Sequence, residues 1–331
     1  MFSVVFVILS LGALAAYSFE GGGPQAAPDS AGGEATKAAI ERFWDVYHGN
    51  DYAAIPAVQA QLAAALENDP NNIWLNALLG ATHFWPIGEF TRDPNPNPKV
   101  LAQDMPAAVA LFQKALDLDN YGRHLPGYIN DDHLPGYLGI TTVHLGQQNN
   151  DSNSISTGDQ LLDYAAYQFP EFNNFNRWAA HNSDPKDSQS YQKALDSLWE
   201  AIDACVGGSV DRMNPDLAPY LYLQTAVGRK RVCWSEGSVA PHSFEGLMLN
   251  LGNGLVKAGQ VEVAKIVYAN AKYAKNYMSW PYRSVLEGIE SSDLYARAAL
   301  YADGDATNDP PLAVPNRGCV YCHALVPEPP K

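Results

Sequence analysis

Charged residues are scarce in this chain, 17% of 331 positions, and the shortage falls on the basic side. Against 36 Asp and Glu stand only 21 Lys and Arg, a formal charge of -15. Such a balance argues against nucleic acid or an anionic membrane surface as a partner and would favour basic ones, although acidic surfaces commonly serve solubility alone. Sustained runs of alternating β-branched residues bounded by hairpin turns are missing, which argues against a sheet. Glycine-rich phosphate loops are missing too: Gly252-Asn253-Gly254 falls inside a helical pattern with no strand before it, so no dinucleotide site is expected there. No HExxH sequence, Ser/His/Asp arrangement or paired-carboxylate signature stands out, so none of those reaction classes is proposed.

The first charge is Glu20, and the stretch before it, FSVVFVILSLGALAAYSF from Phe2 to Phe19, is an apolar core followed by small residues. Ala13-Leu14-Ala15 has the small-x-small form that a signal peptidase cuts, leaving a chain that starts near Ala16. A basic leading region is absent and the run is just long enough to span a bilayer, so residues 1–19 read as a signal peptide or as an uncleaved anchor. No Cys lies near this stretch, so a lipid-anchored N-terminus is not supported. Residues 20–35, rich in Gly, Ala, Pro and Ser, have nothing with which to build a core and read as a tether. Either way the folded body is expected outside the cytoplasm, periplasmic or extracellular.

Residues 36–302 form a series of amphipathic segments punctuated by Asn, Asp, Gly and Pro, and 303–331 a C-terminal segment. Helices are expected over Thr36 to His48, 53–67 and Ile73 to Trp85, with Asn68-Asp69-Pro70-Asn71-Asn72 breaking the chain between the last two. This helix, Asp-Pro turn, helix unit resembles a tetratricopeptide repeat. The resemblance recurs at 106–119, where Ala108, Leu111, Phe112, Ala115 and Leu116 share a face. It recurs again at 247–276, where a Lys-Ala-Gly-Gln turn separates two helices and Ala264, Tyr268 and Ala271 suit close packing. The fold class expected is all-α, an irregular helical-hairpin array. Two stretches, 86–99 and 148–158, interrupt the rhythm and are expected to be loops or lids. His124-Leu-Pro-Gly-Tyr128 is repeated as His133-Leu-Pro-Gly-Tyr137, whose Pro-Gly pairs favour turns. Aromatic clusters such as Phe169, Phe172, Phe175 and Trp178 are expected to fill core.

The residues that carry chemistry are Cys319-Val320-Tyr321-Cys322-His323. Two thiols at this spacing on one helical turn can form thioethers with the two vinyl groups of haem, and the adjacent imidazole can reach the iron. A disulfide within the motif and a zinc site are the competing readings. A second Cys pair at this spacing is lacking for zinc, and the Pro-rich approach DPPLAVPNRG is unlike the strand-to-helix setting of a redox disulfide. The pentapeptide resembles that of the c-type cytochromes. The resemblance implies one covalent haem c held by Cys319 and Cys322, with His323 as proximal iron ligand. It covers five residues, and its place near the C-terminus differs from the small soluble electron carriers.

The residues after His323, ALVPEPPK, contain neither His nor Met, so a sixth ligand is expected from the helical body or another chain. His242, at the expected start of a helix running through Met248, is the first choice, and Met248 is the alternative. His83, His124, His133, His144 and His181 stay open, as does a five-coordinate iron. Cys205 and Cys233 are expected to form a disulfide. The function expected is electron transfer by an exported monohaem cytochrome, with redox proteins or copies of itself as partners and the membrane met only through an uncleaved N-terminus. The alternatives are an interaction scaffold or filament subunit with a structural haem, and a haem peroxidase or gas sensor.

Overall fold

The computed structural model describes residues 32–89, 98–119, 133–305, 307–310, 312 and 318–326. The proposed signal segment, most of the tether and the first HLPGY copy lie outside the described residues. Among the described residues the regular structure is helical with no strand. The helices are α1 (Glu34–His48), α2 (Ile55–Asn68), α3 (Ile73–Glu89), α4 (Pro98–Asp119), α5 (Leu134–Asn149), α6 (Ser152–Gln168), α7 (Pro170–His181) and α8 (Gln189–Val206). After a stretch of short 3₁₀ turns come α9 (Ser243–Lys257), α10 (Val261–Asn270), α11 (Arg283–Glu290), α12 (Leu294–Leu300) and α13 (Gly318–His323). From α1 to α8 each helix packs on the next, as α9 does on α10, so the body is an all-α array of helical hairpins.

Local chemistry explains the joints. In α2, Pro56 sits in the first turn, and Ile55, Val58, Leu62 and Ala65 recur at helical spacing on the buried face. Asp69-Pro70 ends that helix, and the Asn72 side chain then accepts from the Leu75 N–H to open α3. Of the two expected loops, 148–158 is largely helix, and 86–99 has helix at both of its described ends, with 90–97 outside the described residues. In the stretch 148–158, α5 runs to Asn149, Asn150 adopts the left-handed conformation (φ 53°), and Asp151 caps α6 by accepting from the Asn153 N–H. The polar run is thus a two-residue joint followed by the exposed first turns of a helix. Around 86–99, Pro86 is carried inside α3, and Pro98 opens α4 well before residue 106. The second HLPGY copy is likewise a helix start rather than a turn. Pro135 lies in the first turn of α5, and the His133 ring packs on Phe169 and Phe172, with centroids 5.0 and 4.3 Å away.

At the centre lies α9, of which every residue but Leu247 is buried, as a helix enclosed on all sides must be. Gly252 lets the Tyr268 ring of α10 approach so closely that a Cβ there would lie 2.2 Å from it, and the Tyr268 hydroxyl donates to Asn253 Oδ1 (2.9 Å). From α8 the Tyr191 hydroxyl donates to the Gly254 carbonyl (2.7 Å), and from α7 the Trp178 indole N–H donates to Asn250 Oδ1 (3.3 Å). A disulfide joins Cys205, at the end of α8, to Cys233, with Cα atoms 5.7 Å apart. Among the described residues no helix is long and apolar enough to cross a membrane.

Candidate functional site

The motif occupies α13, a single helical turn, as the spacing of its two cysteines requires for a shared face. Its apolar residues drive it into the body: Val320 and Tyr321 are fully buried, and the Tyr321 ring meets Tyr282 edge-on at 4.6 Å. Three further contacts hold its backbone. The His242 N–H donates to the Cys322 carbonyl (3.0 Å), the Trp280 indole N–H to the Tyr321 carbonyl (2.9 Å), and the Leu325 N–H to the His48 carbonyl (2.9 Å). The turn is therefore held between the last residue of α1, the start of α9 and the turn containing Trp280.

Cys322 lies half-buried against Gly246 of α9. A Cβ at residue 246 would come 2.4 Å from its sulfur, so Gly246 leaves a cradle that the thiol occupies. The backbone of Cys319 belongs to α13, and its side chain lies outside the described parts.

His323 is oriented by one bond: its Nδ1–H donates to the Val239 carbonyl (2.6 Å). A carbonyl only accepts, so the proton must sit on Nδ1, leaving the lone pair on Nε2. Burial, with His48 nearby adding repulsion and the Val239 bond opposing, pushes the His323 pKa down to about 4. The ring is thus neutral at pH 7, the form in which an imidazole binds iron. His48 also converges on the Val239 carbonyl, donating from Nε2–H at 3.0 Å, and its pKa is lowered chiefly by burial. Tyr47 packs 5.1 Å from the His323 ring and meets Trp85 edge-on at 4.8 Å, while Trp44 lies 5.3 Å from His48.

The structure sorts the other proposed iron ligands. His242 adjoins the motif, at the N-cap of α9, buried, with Nδ1 bonded to Glu245 Oε1 (3.0 Å). Glu245, fully buried, also accepts from the Ser235 hydroxyl. A carboxylate on Nδ1 leaves Nε2 as the nitrogen that could meet a metal, an arrangement common behind metal-ligating histidines. Met248 lies two residues past Gly246, so it projects from the opposite face of α9, beside Ile202, Cys205, Cys233 and Trp234 around a small cavity. It does not face the motif. His83 is bonded to Asp104, His144 to Gln147, and His181 to Asp159 and Asp184, each within the hairpin array, and His124 lies outside the described residues.

Sequence reasoning passed over His48, Tyr47 and Val239. Val239 stands 191 positions from His48, and nothing local in WDVYH or GSVAP announces the meeting.

The donor set fits a covalent haem: a helical C-x-x-C-H turn, a cradle for one thiol, and an imidazole whose tautomer presents Nε2. Among the described residues no group of three or more His, Cys, Asp or Glu gathers into a ready-made metal cage. The fold and site thus define an all-helical hairpin array with a C-terminal C-x-x-C-H turn packed into its body. Comparison with known proteins finds no matching family model, no matching curated protein and no matching solved structure.

Proposed function

We propose that this protein is an exported monohaem c-type cytochrome that transfers electrons, its haem held by thioethers from Cys319 and Cys322 with His323 as proximal ligand and His242 as the sixth. The observation that carries this reading is the His323 Nδ1–H bond to the Val239 carbonyl, which readies Nε2 on a helical C-x-x-C-H turn. The bound group would supply a one-electron couple, tuned by its axial ligands and burial. The chain supplies the rest. Val239 and Glu245 hold the two imidazoles in one tautomer each, and Tyr47 packs on the His323 ring. The buried disulfide suits an oxidising, extracytoplasmic compartment, periplasmic or extracellular. The partner would be a redox protein or another copy of the chain.

The test is expression in a host with working cytochrome maturation and an export leader. Expected is coloured protein whose mass exceeds that of the polypeptide by one haem, and a colourless Cys319→Ala, Cys322→Ala double variant. Reduced protein should show a low-spin spectrum that becomes high-spin in His242→Ala. Colourless wild-type protein of bare polypeptide mass overturns the reading. A low-spin spectrum that survives in His242→Ala removes His242 as ligand and leaves the cytochrome assignment standing.

A further inference from the structure

One carbonyl serves two imidazoles at this site. Val239 O accepts from His323 Nδ1–H at 2.6 Å and from His48 Nε2–H at 3.0 Å, and a carbonyl oxygen has two lone pairs with which to do so. His48 holds the motif a second time through its main chain, since its own carbonyl accepts the Leu325 N–H two residues beyond His323. The residue is buried, closes the last turn of α1, and is held by the Trp44 and Tyr47 rings. Filling space at this place would need only an aromatic ring, and the structure puts a hydrogen-bond donor there, aimed at the acceptor that orients His323.

We propose that His48 is a positioning residue for the proximal ligand, one that sets the electron donation of His323 to iron by sharing the Val239 carbonyl. The inference rests on the cytochrome reading and deepens it. A hydrogen bond from Nδ1 makes an imidazole a stronger donor through Nε2, which favours the ferric state. A second donor on the same oxygen draws on its electron density and weakens the first bond. With His48 in place the ferrous state gains. Without its N–H, His323 has the carbonyl to itself and the ferric state gains. Because His48 belongs to α1, the first helix among the described residues, that end of the described array would bear on the iron without touching it.

The experiment compares wild type, His48→Phe and His48→Gln, each matured in vivo, by haem content per chain, by reduction midpoint and by far-ultraviolet circular dichroism. His48→Phe keeps an aromatic ring and removes the donor. His48→Gln restores an amide donor. Expected is one haem per chain in all three and a reduction equilibrium in His48→Phe shifted toward ferric by about tenfold, the size of the smaller outer-shell effects on metal affinity and activity. His48→Gln should return at least half of that shift on a logarithmic scale. A midpoint unchanged to within about twofold in a haem-loaded, fully helical His48→Phe overturns the proposal. So does an equal shift in both variants, which would make the effect one of packing. Wild-type protein without haem sinks the parent reading instead, and that arm is scored before any variant is compared.

Discussion

His181, the last residue of α7, shows how charge can tie one side chain to a neighbouring helix and to the turn after its own. Burial pulls its pKa down, but its bonds to Asp159 Oδ1 (2.8 Å) and Asp184 Oδ2 (2.9 Å), with the charges behind them, outweigh burial and raise it to about 9. The folded protein therefore holds this proton more tightly than the unfolded chain does. The stabilisation is complete below the unfolded value near 6.5 and drains away as pH rises through 9. Asp159 is 42% exposed, so solvent screens part of the effect and about 1–2 kcal/mol is a fair expectation. Urea unfolding should show wild type losing that amount between pH 6.5 and 9.5, while His181→Gln starts lower and shows a flatter profile. A parallel decline in both would place the pH dependence elsewhere. His323 behaves in the opposite way: its depressed pKa keeps it neutral across the physiological range, as the proposed iron ligation would require.

The element that matters most for the site is the irregular strap between Cys233 and α9. Its upstream end is fixed to α8 by the disulfide, and its downstream end becomes the N-cap of α9. Between them the strap supplies Ser235 to Glu245 and the Val239 carbonyl to His323 and His48, and Trp234 stacks on Phe244 at 5.5 Å. A segment with so little regular structure depends on its anchors for order. Cys205→Ala, Cys233→Ala should lower unfolding free energy by about 2–4 kcal/mol. Hydrogen exchange at 234–242 should quicken more than in α2 to α4. Equal acceleration throughout would show that the disulfide stabilises the molecule without ordering the site.

At the scale of the whole molecule, α9 links the hairpin array to the motif: α7, α8 and α10 close on its flanks and α13 packs on its first turn. Around this core the chain carries its charge of -15. If the haem accepts and donates electrons from the surface of such a body, encounter is steered by that field. Electron exchange with a small cationic redox reagent should exceed that with an anionic one of similar driving force, and the gap should close as ionic strength rises from about 0.01 to 0.5 M. Stopped-flow rates that are equal at low salt would place the acidic surface away from the haem.

Much of this was legible in the order of residues. Apolar spacing at 3.6 residues announced the helices and hence the all-α class, because helix burial leaves a periodic trace within each segment. The C-x-x-C-H spacing announced the candidate chemistry, because it puts two cysteines and a histidine on one helical turn. The polar run at 148–158 misled, since an Asp cap and exposed first turns read like a loop when no neighbour is known. What only the tertiary structure decided is which distant groups meet the motif. His48 comes from the end of α1 and Val239 and Gly246 from the strap and the start of α9, Met248 is turned away, and His242 is brought alongside. Such meetings are set by how helices stack around α9, a matter of long-range packing that leaves no periodicity in the sequence to read.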